Sequence, residues 1–482
     1  MRSESDMNVF QAIKQETKNF SGKTAVIEGD NRISYGKLIS SAEEIASALK
    51  EKGVMPFHRV GLLCGDSIDY IATSLAVLSL SAVVVPISPG QTETEIASIL
   101  DRIAVNFLVF EKGAYKNEGA QALQSKGFHQ KEFFIRVREI TEEPCEEYYK
   151  INPAFIRFSS GTTGISKGVV LSHESIIERT GAADKGLKIT SGDNILWVLS
   201  MSFHFVVTIL LFLRRASTII ICNNTFPESL IEGITRHKGT FIYASPFHYN
   251  LLARTDMLSP ESLKSVRLAV STAIKLPDAV ADEFSSKFNL ELTEAYGIIE
   301  VGLPFIKLSS DKNKRGSVGK ALPGYEVAIF NKDADGAGEI FLRGKGMLDA
   351  YFSPWQNRKS ILKDGWFKTG DLGIIDENGF LTIVGRDKDV INFTGMKVFA
   401  QEVEAVVNQY PLVKESLVYG VEHPQYGQLP IAKIVLKDKT GNNIDVNDLR
   451  KFCYERLARY KVPKDFEYVD HLPKTASGKI KR

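Results

Sequence analysis

Cysteine is scarce in this chain. Cys64, Cys145, Cys222 and Cys453 stand 81, 77 and 231 positions apart in a sequence of 482 residues, so there is no CxxC pair and no metal-ligand spacing. That argues against a zinc site and a disulfide scaffold and predicts reduced thiols in a cytoplasmic protein. Charge of one sign is lacking too. The 60 Lys and Arg against 58 Asp and Glu leave a net charge of +2, which supplies no global field for nucleic acid or an anionic membrane. Any anion site has to be built locally. The opening stretch MRSESDMNVFQAIKQETKNF carries acids and amides where a secretory leader needs an apolar run, so secretion is not expected.

One long uncharged run is present, from Ile195 to Leu213 (ILWVLSMSFHFVVTILLFL), followed by Arg214 and Arg215. Its length and flanks fit a membrane span. Ser200, Ser202, His204 and Thr208 interrupt it, however, and ILWVL, SMSF and HFVVTILLFL have the lengths of a strand, a turn and a buried helix. Burial in an α/β core is expected, with no membrane span. The remaining composition, 44% apolar and 24% charged with 37 Gly and 17 Pro, is that of a globular protein long enough for roughly three domains or subdomains.

The fold class reads as α/β. RVGLLC, AVVVPI and NFLVF alternate with the helical segments SIDYIATSLAVLSL and ETEIASILDRI, and Thr92 with Glu95 forms a capping box ahead of the second helix. A second series, STIIIC, a helix opened by Pro227, TFIYA and VRLAV, predicts another doubly wound parallel sheet. After about Gly316 short strands with turn signals predict an antiparallel, barrel-like region. A helix from Gln401, the strands SLVYGV and IAKIVLK, and a helix near Val446 to Ala458 then make a small α+β domain. The expected division is a large N-terminal domain over 1–386, a hinge at 387–389 within GRDKD, and a small C-terminal lid over 390–482.

The most informative segment is FSSGTTGISKGV, Phe158 to Val169. Gly161, Gly164 and Gly168 let backbone N–H groups converge on an anion, Ser159, Ser160, Thr162 and Thr163 add hydroxyl donors, and Lys167 adds charge. It is not a Walker A loop, because Ser166 and Gly168 flank the lysine the wrong way round. A plain Ser/Thr/Gly linker is the alternative, but the segment lies between apolar strands and not between domains.

This loop resembles the phosphate loop of the acyl-adenylate-forming superfamily, which includes acyl-CoA synthetases, aryl-acid ligases, peptide-synthetase adenylation domains and luciferases. The resemblance continues in order through EAYGIIE (Glu294 to Glu300), KTGDLGIIDENGFLTIVGRDKDVINFTGMKVFAQEVE (Lys368 to Glu404) and PKTASGKIKR (Pro473 to Arg482), so it covers nearly the whole chain. It implies ATP-dependent activation of a carboxylic acid as acyl-AMP, then transfer to the thiol of CoA or of a carrier protein's phosphopantetheine, with Mg²⁺ as cofactor. Both reactants of the first step are anionic, so such an enzyme works by positioning and charge neutralisation.

The resemblance assigns Ser159, Ser160, Gly161, Thr162, Thr163, Gly164 and Lys167 to the pyrophosphate end of ATP, Tyr296 and Gly297 to the nucleotide, and Glu300 to Mg²⁺. Lys479 is the implied catalytic cation, acting with Glu300 and Thr163. Asp371 and Arg386 resemble the pair that grips the ribose, Lys388 the hinge, and Gly395 a glycine near the pantetheine tunnel. The residues add support of their own. A two-residue turn at Asn378 and Gly379 would put Glu377 opposite Phe380 and Asp371 opposite Arg386 on one hairpin; a longer loop would shift that register, and a surface ion pair is the plain alternative.

Two departures from the family pattern stand out: Ile299 replaces the usual Thr before the metal acid, and Ser166 replaces a common Pro. They keep a non-catalytic acyl or nucleotide sensor as the second class of reading. Phe203, His204, Val207, Ile298 and Ile299 resemble the acid pocket, and no Asp stands among them to hold an α-ammonium group. An aryl or medium-chain aliphatic acid is therefore expected. His204 also fits a satisfied core histidine.

Overall fold

The computed structural model describes residues 8–140, 142–158, 167–222, 225–308, 314, 316–393, 396–424, 426–437, 445–474 and 480–481. The chain divides into two compact units, Met1–Glu326 with Leu342–Phe367, and Val327–Phe341 with Lys368–Arg482.

The first unit is built on two sheets. In the nine-stranded sheet, Val83–Ile87, Arg59–Leu63 and Phe107–Glu111 are parallel neighbours, and Pro153–Phe158 joins them beside Val83–Ile87. The expected helices, Ile68–Ser79 and Glu93–Arg102, connect them. The capping box is present, with the Glu95 N–H donating to Thr92 Oγ1 at 3.3 Å and the Thr92 N–H to Glu95 Oε2 at 2.8 Å. In the eight-stranded sheet, Leu292–Ile298, Leu268–Ser271, Phe241–Ala244, Asn194–Trp197, Thr218–Ile221 and Thr24–Glu28 are parallel in that order, with antiparallel strands at both edges. The helix expected at Pro227 runs over Glu228–Thr235.

The apolar run from Ile195 resolves into a strand and a helical stretch buried in this unit. The expected turn at SMSF is instead the first helical turn, Met201–His204, which passes into a π-helical turn, Phe205–Ile209, and then Leu210–Arg214. The cause is distant in sequence: both carboxylate oxygens of Asp66 lie 3.0 Å from the Met201 N–H and cap the helix where Ser200 makes no side-chain cap. The flanking cations are paired. Arg214 reaches Glu16 at 2.7 Å, and Arg215 reaches Asp184 at 2.7 Å. Among the described residues no helix is long and apolar enough to cross a membrane.

The second unit holds most of a four-stranded sheet in the order Tyr325–Phe330, Gly338–Gly344, Phe367–Ile375, Leu381–Arg386. The short strands Ala350–Tyr351 and Gln356–Asn357 belong instead to the nine-stranded sheet of the first unit. A further sheet is centred on the long hairpin of Val413–His423 and Gly427–Leu436. Its inward positions Val418, Ala432 and Ile434 pack with Val403, Val407, Leu449 and Cys453 from the helices Ala400–Val407 and Val446–Tyr454.

One buried histidine ties the N-terminal helix Val9–Glu16 to the first unit. His173 Nδ1 accepts the Val9 N–H at 3.1 Å, Nε2 has no partner among the described residues, and burial holds the imidazole at about 3. Below the ordinary value of 6.5 the unfolded chain takes up a proton that the folded one refuses, so stability falls as pH drops from 6.5 toward 3. Denaturant titrations at pH 7 and pH 5 should show a larger loss for the wild type than for His173→Asn.

Candidate active site

The strands Pro153–Phe158 and Gly168–Ser172 run antiparallel, with Arg157 opposite Val169 and Phe158 opposite Gly168. Val169 lies in turn opposite Tyr351. Opposed residues share a face of the sheet, so Arg157, Val169 and Tyr351 make a row across three strands. The segment between the first two strands holds Ser159, Ser160, Gly161, Thr162, Thr163 and Gly164, which lie outside the described residues; its closing residue, Lys167, is described. Lys167 Nζ sits 4.6 Å from the Tyr351 ring centroid and 3.3 Å from Gln356 Oε1. The Tyr351 hydroxyl donates to Glu300 Oε1 at 3.4 Å.

Lys167 and Glu300, far apart in sequence, are thus joined through Tyr351. Burial and then the Glu300 charge push the Tyr351 phenol upward, so it remains a donor. The Glu300 main chain is fixed by the Leu348 N–H, 2.7 Å from its carbonyl. Just before it, the Ile299 carbonyl accepts from Arg179 Nη1 at 2.9 Å, and the same guanidinium gives Nε and Nη2 to the Gly346 carbonyl. Arg179 is fully buried, and burial lowers it to about 10. It stays charged at neutral pH and pins the turn that carries Glu300.

Tyr296, Gly297 and Ile298 lie on the strand Leu292–Ile298, which is irregular between Tyr296 and Ile298. Gly297 is there for space: a Cβ would overlap the Gly302 carbonyl oxygen and stand 3.2 Å from Leu303 Cα. Ile298 and Ile299 are half-buried. Phe203, His204 and Val207 are the half-buried positions of an otherwise buried helical stretch, Met201 to Ile209. The His204 ring meets Trp197 edge-on with centroids 6.3 Å apart. Phe203 is connected to the Glu300 side of the site by Arg157, whose Nη1 donates to the Phe203 carbonyl and whose charge is felt by Glu300.

Sequence reading missed Arg157, Arg179 and Tyr351. A lone charge in the apolar stretch AFIRF was a usable signal for Arg157. Arg179 looks like any polar position of a helix, and Tyr351 gains its place only through strand pairing.

In the second unit, Arg386 Nε lies 2.9 Å from Asp371 Oδ1, and the two are directly opposed on the hairpin of Phe367–Ile375 and Leu381–Arg386. The turn differs from expectation. Asp376 pairs with Phe380 through a 3.1 Å N–H to O bond, leaving a three-residue loop, Glu377 to Gly379, with Gly379 at φ +82°. That loop alone would shift the register by one, and an irregularity between Leu372 and Gly373 shifts it back. Lys388 is exposed in the turn Asp387–Asp389. Gly395 and Lys479 lie outside the described residues. The ends of the Lys479 segment are fixed within the second unit: Lys474 bridges to Ile480, and Leu472 and Ile480 pack with Leu417 and Val435.

A doubly wound body in which the lysine that closes a Gly/Ser/Thr segment is joined through Tyr351 to a carboxylate far along the chain, with a separate α+β unit, describes an adenylate-forming enzyme. The family model for the AMP-binding enzyme matches residues 13–352, and that for the AMP-binding enzyme C-terminal domain matches residues 402–479; the chain belongs to this family. It is 28% identical over 503 positions to a (methyl-dioxo-octahydroindenyl)propanoyl:CoA ligase of Rhodococcus jostii, across 97% of this chain and 96% of that one. It is 26% identical over 512 positions to a long-chain-fatty-acid–CoA ligase of Bacillus subtilis, across 96% and 91%. The fold matches o-succinylbenzoate CoA synthetase of Bacillus subtilis, solved with its acyl-adenylate intermediate, at a TM-score of 0.84 and 22% identity over 98% and 97% of the two chains.

Gly297→Ala should lower the unfolding free energy by about 1–3 kcal/mol, the usual scale of overpacking, when measured by chemical denaturation.

Proposed function

We propose that the protein activates an apolar carboxylic acid, aryl or medium-chain aliphatic, as its acyl-AMP at the expense of ATP, and passes the acyl group to CoA. The observation that carries this reading is the joining of Lys167 to Glu300 through Tyr351, with half-buried Phe203 linked to the same sheet face by Arg157. A carboxylate oxygen attacks the α-phosphorus and the bond to pyrophosphate breaks, the electron pair leaving with pyrophosphate. The thiol sulfur then attacks the acyl carbon, its proton is lost, and AMP departs with the carbon–oxygen electron pair.

Lys167 and the loop residues Ser159, Ser160, Gly161, Thr162, Thr163 and Gly164 hold the departing pyrophosphate, supplying charge where it develops. Tyr296 and Gly297 border the nucleotide. Glu300 holds Mg²⁺: a single carboxylate, with a phenol donor at one oxygen, suits a hard ion whose other ligands are phosphate and water oxygens. The ion, when bound, neutralises phosphate charge. Asp371 and Arg386 grip the ribose, their side chains already aligned by the ion pair. Lys479 places its ammonium between carboxylate and α-phosphate. The division of labour follows 1–386 and 390–482, with the exposed Lys388 at the hinge and Gly395 beside the pantetheine path. CoA is favoured over a carrier protein's phosphopantetheine because both relatives named above are CoA ligases.

Pyrophosphate exchange over a panel of carboxylic acids, followed by thioester assays with CoA and with a carrier protein, tests this directly. Exchange should be strongest with aryl and medium-chain acids; nucleotide binding with no exchange for any acid would leave a sensor. Lys479→Ala should slow acyl-AMP formation on the order of 100-fold or more and largely spare thiolation of supplied acyl-AMP. Equal damage to both steps would refute the role given to Lys479. Glu300→Gln should raise the Mg²⁺ concentration needed for half-maximal exchange.

A further inference from the structure

Arg157 interrupts an apolar strand immediately before the Gly/Ser/Thr segment. A guanidinium carries five N–H donors, yet its hydrogen bonding among the described residues is a single bond, Nη1 to the Phe203 carbonyl. Nε is shielded from solvent and has no partner among them. The guanidinium carbon lies 5.9 Å from the Phe203 ring centroid. On the same sheet face, two strands away, Tyr351 holds Glu300. Arg157 therefore stands between the wall read as the acid pocket and the carboxylate read as the metal ligand.

Arg157 is half-buried, and withdrawing part of a charge from water with its donors unused is costly unless something uses them. Burial lowers the group only to about 10, with the Glu300 charge acting against that shift, so the cation persists at neutral pH. Without it, a substrate carboxylate entering between Phe203 and Glu300 would meet a carbonyl dipole, a carboxylate and a triphosphate, all repulsive. A planar fork of donors is the geometry that takes a carboxylate in two hydrogen bonds.

We propose that Arg157 binds the carboxylate of the acid that is to be activated, setting it between the Phe203 turn and the phosphate site. The proposal rests on the adenylation reading for what happens to that carboxylate next, but not for its binding. Nothing covalent is required of Arg157; the acid's negative charge is held until it is lost in the mixed anhydride.

The test uses full-length wild type, Arg157→Leu and Arg157→Lys with octanoate and benzoate, and octanamide as a neutral isostere. In thermal shift, octanoate or benzoate should protect the wild type and octanamide should not, and Arg157→Leu should lose that protection. In pyrophosphate exchange, Arg157→Leu should raise the KM for the acid roughly tenfold or more, the scale of a lost charged hydrogen bond, while the KM for ATP changes little. Arg157→Lys should recover part of the loss, and it carries the test if the Leu variant does not fold. Thiolation of supplied octanoyl-AMP, which has no carboxylate, should be largely retained.

An unchanged acid KM in a folded variant, equal rises for acid and ATP, a proportional loss of thiolation, or no selective protection of the wild type by either acid would each overturn the proposal; the proportional loss would make Arg157 a brace for the Phe203 turn. Arg157-dependent protection by octanoate, without exchange for any acid, would leave this site standing and remove the adenylation reading instead.

Discussion

The antiparallel pairing that sets Phe158 opposite Gly168 is the constraint on which the first unit's site depends. A parallel sheet hands its strands on through helices, whereas here two strands next to it in space are joined by one short segment rich in Gly, Ser and Thr. Closing that segment between two paired strands fixes both of its ends. The same ladder continues to Tyr351, and through the Tyr351 hydroxyl it reaches Glu300, 51 positions earlier in the chain. Lys167 is held by this lattice as well, against the Tyr351 ring and the Gln356 amide. Charge placement in this region follows from strand register and owes little to the flexibility of side chains.

Buried arginines show how an apolar body tolerates such charge. Arg179 spends its guanidinium on the carbonyls of Ile299 and Gly346, where no regular ladder serves them. Arg214 gives its donors to Glu16, the Ile177 carbonyl and Thr180. Both are satisfied, and each ties segments that meet only in the folded chain. Arg157 is half-buried where they are buried, and it differs further in how little of it is used.

The alternation of strands and helices was legible because it is local. Thr92 and Glu95 form their capping box within four residues, and β-branched runs such as VVVPI read as buried parallel strands. What escaped the sequence was set at a distance. SMSF forms a helix because Asp66, some 135 positions earlier, caps it, and Phe203, His204 and Val207 are the half-buried positions of the helical stretch that it opens. Tyr351 enters the site through a two-residue strand, too short for any periodic signal. The motif residues Glu300, Lys167, Asp371 and Arg386 could be named in advance; the groups that orient them could not, because their partners are backbone carbonyls and sheet neighbours.

The Asp371–Arg386 hairpin carries a lesson about length. Its turn has one residue more than the tightest form, and the strand absorbs that excess at Leu372–Gly373 before the two charged side chains are reached. Because side chains alternate faces, a single insertion or deletion on either arm would turn one partner of the pair to the far side of the ribbon. The two irregularities are therefore a matched set, and length changes in this hairpin can be inherited only in compensating pairs.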